Sequence, residues 1–492
     1  MNRIAAISVL LLASLSLGLC GARPIPYGGE LTIAVAPPPE VDPARVSSAS
    51  EMELAALAHE TLFQLGGDGE AVPALARDAH PSDDFREWTI RLRIGECFHN
   101  GSPLEARDVM QSWERLIRRE TASPYWWLLS MVDGALEYRQ GRIRRLRGVE
   151  ASNRATIKVR LTRSFPDFPE ALASLPVAVL PSSWIAKRGP ADPPGAGPFS
   201  RVPSLPETAE LRPFLRHVAG RPFLERLFFR APVSPEVLRA LGTPASSGED
   251  REAQIPSAPA GAWMAPERWP VFLVRNPRPT RRWPAPAHSA LLALLNRGAL
   301  AEVIPAGSTP DGEAGDTRAA QDPDEARRHF ANWTAKRWGL PPLAVLLIHP
   351  DEAQRALAAE LREQAARLGI VLAIQEKRHD DFAGTVAGGD WDLRLEEVLP
   401  VSQDEELRAL QMADFFCGED ALRNADAQLR KLPPGEERVA LLGRVARECA
   451  QDAATLLLMR SFRYVRPAEI ENLRFRGPVW DLSSAWIRVE KK

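Results

Sequence analysis

Residues 343–374 constrain the fold of this chain more than any other stretch. Leu343–Ile348 is a short unbroken apolar run. Residues 352–368 carry Leu357, Leu361, Ala365 and Leu368 at helical spacing and stop at Gly369, and residues 370–374 form a second apolar run. A strand, a one-sided helix and a strand of these lengths make a βαβ unit, which requires a parallel strand pair joined by a right-handed crossover. Parallel strands are covered on both faces, so an α/β architecture is expected.

With 492 residues the chain is too long for one core, and about three domains are expected at roughly 100–200 residues each. Its 26% charged and 45% apolar residues are those of an ordinary globular protein. A net charge of −2 gives no reason to expect a nucleic-acid partner.

The first residues read as an export signal. Met1-Asn2-Arg3 is a short positive segment, and residues 4–19 are a 16-residue stretch without charge, so residues 1–22 are expected to be a secretory signal peptide. Cleavage has two readings: after Ala22, with small residues at Cys20 and Ala22, or before a lipidated Cys20 in Leu17-Gly18-Leu19-Cys20. No later stretch is apolar for long enough to span a bilayer. Export leaves three cysteines, Cys97, Cys417 and Cys449, an odd number. Either Cys417 and Cys449 form a bridge, with Cys97 buried and inert, or all three are free thiols.

Residues 92–116, LRIGECFHNGSPLEARDVMQSWERL, add a second signature. Trp88, Ile90, Leu92 and Ile94 alternate as one face of a half-buried strand that ends at Asn100-Gly101. A helix is expected next, with Ser102 as N-cap, Pro103 in its first turn and Glu105 closing a capping box. Ala106, Val109, Met110, Trp113, Leu116 and Ile117 give it one apolar face.

The wording Phe98-His99-Asn100-Gly101-Ser102-Pro103-Leu104-Glu105-Ala106-Arg107-Asp108-Val109 resembles the FHDGxPLTAxDV segment of the bacterial extracellular solute-binding proteins of family 5. Other segments follow the family in order: Asp68-Gly69-Glu70 with Pro73-Ala74-Leu75-Ala76, Thr121-Ala122-Ser123-Pro124-Tyr125, Gly134-Ala135-Leu136-Glu137-Tyr138, Gly195-Ala196-Gly197-Pro198-Phe199, and Ile470-Glu471-Asn472-Leu473. Residues 203–262 lack the family's gDvD wording, and residues 246–261 look like a loop. The resemblance implies a periplasmic-binding-protein type II fold: two α/β lobes around a ligand cleft plus an accessory α+β domain. The expected boundaries are 23–50, 186–270 and 462–492 for lobe I, 51–185 for the accessory domain and 271–461 for lobe III.

Little in the chain suits an enzyme. The eight histidines show no pair at ligand spacing, and there is no Gly-x-Ser-x-Gly elbow or phosphate loop. Gly195-Ala196-Gly197 is followed by Pro198 and Phe199 instead of a helix start, so a tight turn between strands is the better account. His99 reads as a structural hydrogen-bonding residue. Glu396 and Glu397 are neighbours on a strand and point to opposite faces, so at most one should face a cleft, whereas Asp404, Glu405 and Glu406 read as solvated. Residues 391–398 alternate, with Asp392, Arg394 and Glu396 on one face and Trp391, Leu393 and Leu395 on the other.

A binding protein needs two lobes and a few polar groups in a mostly apolar cleft. The resemblance carries Ser47 and Ala49, in a segment whose backbone borders the ligand, and Tyr125, near the cleft; strand alternation adds Arg394 and Glu396. Where the family's peptide receptors hold a ligand's amino group with the aspartate of a DYxDP wording, this chain has Leu395-Glu396-Glu397-Val398-Leu399-Pro400. That aspartate cannot be carried over. The expected function is a monomeric, periplasmic substrate-binding receptor of an ABC importer, without cofactor, metal or enzymatic activity, that delivers a peptide-like or other small polar solute to membrane permease subunits. A receptor-like sensor or structural module that no longer feeds transport is the alternative.

Overall fold

The structure, a computed structural model, describes residues 27–33, 41–66, 69–187, 192–202, 208–230, 262–276, 278, 283–303, 323–336, 342–377, 379–450, 454–465, 470–472, 474–476 and 479–487. The expected signal peptide, Cys20 and the loop at 246–261 lie outside them.

The first unit begins with β1 (Glu30–Ile33) and α1 (Ala49–Ala58). Ser48 caps α1 reciprocally with Glu51, whose carboxylate also accepts from the Ser47 amide at 2.7 Å and the Ser47 hydroxyl at 3.1 Å. Met52, Leu54, Ala55 and Leu57 are all buried, so α1 is a core helix and not a surface one.

The accessory unit follows. β2 (Ala76–Pro81) and β3 (Glu87–Leu92) precede α2 (Ala106–Ile117), and β4 (Val149–Asn153) and β5 (Thr156–Arg160) complete an antiparallel sheet in the order β2-β3-β5-β4. Trp88, Ile90 and Leu92 point inward and share a core with Val109, Trp113, Leu116 and Ile117 of α2. Ile94 departs from the expected alternation. The strand ends at Leu92, Gly95 turns the chain with φ +94°, and Ile94 is 87% exposed.

The expected start of α2 is also corrected. Asn100 Oδ1 accepts from both the amide (3.0 Å) and hydroxyl (2.7 Å) of Ser102, and Pro103 forms a β-bridge with Cys97. Ser102 is therefore spent on a side-chain turn. Glu105 becomes the cap residue, its amide donating to Asp108 at 2.8 Å.

The chain then returns to the first unit through β6 (Phe199–Val202), β7 (Thr208–Pro213) and β8 (Arg226–Arg230). The sheet order is β1-β8-β7-β6, with β1 parallel to β8 and the other pairs antiparallel. Gly195-Ala196-Gly197 is not a turn between strands, since the helix Ser182–Lys187 precedes it. It is a backbone docked on the end of α1: a Cβ at Gly195 would lie 1.8 Å from the Ala58 carbonyl oxygen, and the Gly197 amide donates to that oxygen at 3.0 Å. His99 seals the contact, its Nε2 2.9 Å from the Gly197 carbonyl oxygen, with burial holding its pKa down to about 4.

β9 (Ala262–Arg275) leads into the third unit. β10 (Leu343–Ile348), α3 (Glu352–Arg367) and β11 (Val371–Glu376) form the βαβ unit, with β10 and β11 paired in parallel. Asp351 caps α3, accepting from the amides of Ala353 (2.9 Å) and Gln354 (3.2 Å), and Gly369 ends it with φ +73°. β12 (Leu393–Glu397) then lies between β10 and β9.

Two long helices, α4 (Glu405–Leu429), kinked at Gly418, and α5 (Glu436–Ala450), precede β13 (Ala454–Val465). The sheet order is β11-β10-β12-β9-β13, mixed because β9 runs antiparallel to β12 and β13. One face packs on α3; the other carries Phe272, Val274, Leu347, Val398 and Leu456 beneath Phe382 and Trp391.

α4 sits between this sheet and the accessory unit. Phe415, tilted, and Phe416, edge-on, pack against the Phe272 ring, whereas Leu407, Leu410 and Ala413 join the core shared by the first two units. Glu406, expected to be solvated, is 4% exposed and ion-paired with Arg163 and Arg438, because α4 starts here against the accessory unit. Asp404 caps the helix, accepting from the Leu407 amide at 2.7 Å. Cys417 and Cys449 join α4 to α5 with a Cα separation of 5.4 Å, and Cys97 is buried and free.

Candidate ligand cleft

A cavity of about 280 Å³ lies between the units. Its first wall is the loop at Arg45, Val46 and Ser47 together with Ala122, Pro124, Tyr125 and Trp127 of the accessory segment. Its second is the end of β12 with Phe382 and His349, and its third is the face of α4 carrying Gln411, Asp414 and Phe415.

The β12 wall is acidic. Glu396 and Arg394 lie on the same face, form an ion pair at 3.3 Å, and the Arg394 guanidinium sits 5.0 Å from the Trp391 ring centroid. Burial, and then the neighbouring Glu397, push the Glu396 carboxyl above its ordinary range, against the pull of Arg394.

Both glutamates line the cavity, which overturns the expectation that only one could. Glu397 is the last residue of β12, where the neighbouring β9–β13 ladder shifts register at Val271/Phe272. Its carboxylate is drawn to the Trp269 indole at 2.9 Å and to Arg460 at 2.5 Å. The register shift and these two partners let consecutive residues reach one space. Trp391 also departs from its expected face: it lies before the strand and packs beneath Arg394, apart from Leu393 and Leu395.

On α4, Asp414 Oδ1 accepts from the Trp126 indole N–H at 3.1 Å. The face of this indole carries Arg139, whose guanidinium lies 4.5 Å from the ring centroid. Arg139 is itself ion-paired with Glu419 at 3.0 Å and donates to the Ile117 carbonyl at 3.0 Å. Burial raises the Asp414 pKa to about 7; Arg139 and the Trp126 bond pull it down, and Glu419 pushes it up. Among the described residues no lysine, arginine or histidine forms an ion pair with Asp414.

Four of the sequence-derived candidates, Ser47, Tyr125, Arg394 and Glu396, meet at this cavity. Ala49 is the first residue of α1, one after the Ser48 cap. The Tyr125 hydroxyl is already engaged, donating to the Val46 carbonyl at 2.8 Å, and burial drives its pKa up. Asp414, Glu397, His349, Phe382 and Phe415 are the lining residues that sequence reasoning missed. Asp414 had one readable sign: it falls three and four residues after Gln411 and Leu410 on the inward stripe of α4, where a carboxylate is out of place.

Among the described residues no group of three or more His, Cys, Asp or Glu side chains is placed to hold a metal ion. None of the described helices is long and apolar enough to cross a membrane.

Three units, two of them α/β lobes connected by the long β9–β13 ribbon and facing each other across a cavity, have the fold of the type II periplasmic binding proteins. Two solved structures share the fold over 94% of this chain and 99% of theirs: the murein tripeptide binding protein MppA of Escherichia coli (TM-score 0.74, 17% identity) and OppA of Haemophilus influenzae in complex with the peptide RPPGFSPFR (TM-score 0.72, 16% identity). Residues 70–230 match the sequence model of the bacterial extracellular solute-binding proteins, family 5 Middle. The curated sequence of the periplasmic murein peptide-binding protein MppA of Escherichia coli (strain K12) is 31% identical over 134 residues, which is 27% of this chain and 25% of that relative. The likeness to that family's sequence model thus extends over residues 70–230, and the chain spans about a quarter of the length of that curated relative.

Proposed function

We propose that the chain is the substrate-binding receptor of an ABC importer, which captures a small polar or peptide-like solute between its lobes and delivers it to permease subunits in the membrane. The observation that carries this reading is the cavity itself. Its walls come from residues 45–47, 122–127, 349, 382–399 and 411–415, so no single unit forms it and a ligand there bridges them. Separation and closure of the units then couple to occupancy. At about 280 Å³ the cavity is at the small end of the roughly 300–1,000 Å³ typical of ligand pockets, which favours a compact solute over a long peptide.

The same proposal includes export to the periplasm by residues 1–22, a monomer without cofactor or nucleic-acid partner, and a division into lobe I (23–50, 186–270, 462–492), accessory domain (51–185) and lobe III (271–461). The names of the relatives support a peptide-like ligand, and Ser47, Ala49, Tyr125, Arg394 and Glu396 are its proposed contacts. Native mass spectrometry of the purified protein, followed by thermal-shift titration with peptides, opines, sugars and metal chelates, tests the reading. A co-purified or added small solute that raises the melting temperature supports it. Folded protein with no bound solute and no shift across the panel overturns it.

A further inference from the structure

Three acidic residues line the cavity, and two of them already have cations. Glu396 is paired with Arg394 at 3.3 Å, and Glu397 with Arg460 at 2.5 Å. Among the described residues Asp414 has only the neutral Trp126 N–H, on one oxygen. Arg139, the cation that acts on it, lies over the face of the indole and is bonded to Glu419 and the Ile117 carbonyl. An asparagine would accept the same indole bond without the cost of burying a charge. The charge itself is therefore what the fold leaves unanswered at this wall, and the wall opens on the cavity.

We propose that Asp414 anchors a positively charged group of the ligand, so that the solute taken here carries a protonated amine or guanidinium beside an apolar or aromatic body. This rests on the receptor reading. Tyr125, Trp127, Phe382 and Phe415 supply the aromatic walls beside that charge, where cation–π attraction adds to the ion pair. Arg45, Tyr125, His349, Arg394, Glu396 and Glu397 are the other titratable groups around the space, and Arg139 and Glu419 also act on Asp414. A cation arriving at a carboxyl that titrates at about 7 expels its proton, so binding near neutral pH releases up to about half a proton.

The test uses the full mature protein and its Asp414→Asn variant, with closely similar melting behaviour in the absence of ligand near pH 4 as the control for folding. Isothermal titration is run with phenylalanyl-alanine amide and agmatine (cationic), N-acetyl-phenylalanyl-alanine (anionic) and N-acetyl-phenylalanyl-alanine amide (neutral), at pH 7 in phosphate and in Tris. The expected result is binding by the cationic probes, at least tenfold weaker or absent binding by the others, and at least a tenfold loss in the variant. Heats should differ between the two buffers for the wild type, by the released proton, and agree for the variant. Anionic or neutral probes that bind as tightly, or a variant that binds cations as the wild type does, overturn the inference and leave the receptor reading standing. If no probe of any charge binds and native mass spectrometry finds no solute, both fall.

Discussion

Trp126 and Asp414, 288 residues apart in sequence, are joined by a 3.1 Å hydrogen bond from the indole N–H to Oδ1. The bond ties a turn of the accessory unit to the helix that walls the cleft. It also favours the charged form of the carboxyl, because it is donated to the oxygen that bears the charge. Trp126→Phe keeps a ring for Arg139 to stack on and removes only the donor. We expect a stability loss of about 1–2 kcal/mol and an Asp414 carboxyl that titrates higher than its present value of about 7. Carboxyl carbon NMR titration reads this; an unchanged midpoint would show that the bond has no hold on the charge.

A second tie between the same bodies is the buried cluster of Arg163, Glu406 and Arg438. Arg163 and Arg438 are each 1% exposed, and Arg438 also donates to the Ser164 carbonyl at 2.7 Å and the Leu432 carbonyl at 2.8 Å. Removing one partner of a buried pair leaves the other charged and desolvated, which costs about 3–5 kcal/mol. Glu406→Leu is therefore expected to lower the urea midpoint strongly while leaving the slope intact. A loss below about 1 kcal/mol would mean that water reaches the two guanidinium groups.

The βαβ unit and the strand Glu87–Leu92 are legible in sequence because apolar spacing alone specifies them. The start of α2 is not, since Ser102, Pro103 and Glu105 satisfy every cap rule and the choice is made by Asn100, which takes both donors of Ser102. The cleft is legible only in part for a different reason. Tyr125 and Glu396 could be named from segment wording and alternation, but whether Glu397 also turns in depends on Trp269 and Arg460, which are brought to it by strand pairing across 128 and 63 residues. Long-range register of that kind leaves no local trace.

Gly195 is required by proximity. Its missing Cβ would overlap the Ala58 carbonyl at 1.8 Å, a contact of backbone with backbone that no side-chain rotation relieves. Gly195→Ala is expected to cost at least about 3 kcal/mol or to prevent soluble expression. Gly384, inside the helix His379–Gly388 with nothing within 4 Å of a Cβ, is the control: Gly384→Ala should be neutral or stabilise by about 0.5–1 kcal/mol. Circular-dichroism melts of the two variants decide, and equal melting would remove the argument from close approach.

The Cys417–Cys449 bridge closes a separation of 32 residues across the α4–α5 pair. In the chain-entropy account a loop of that length contributes about 3–4 kcal/mol. Alkylation of the native protein should label neither cysteine without reductant, and Cys97, being buried, only after unfolding. The Cys417→Ser, Cys449→Ser pair should then melt well below the wild type. Equal labelling of all three thiols in unreduced, unfolded protein would exclude the bridge.

The strongest pH prediction concerns Asp414 itself. Its carboxyl titrates at about 7 in the folded protein against an ordinary value of 3.8, so between these limits the native state holds a proton that the unfolded state has lost. The native state is thus relatively favoured at low pH, and this contribution is lost as pH rises through the folded value. At pH 8 the group is charged and largely desolvated, with no ion pair among the described residues, and Asp414→Asn, which keeps an acceptor for Trp126, should be more stable than the wild type by about 2–4 kcal/mol. Near pH 4 the two should melt together. Stabilisation that grows from pH 4 to 8 in the variant, read alongside its loss of cation binding, would identify Asp414 as a residue held against stability for the sake of the ligand. A constant difference across that range would instead place its role in packing.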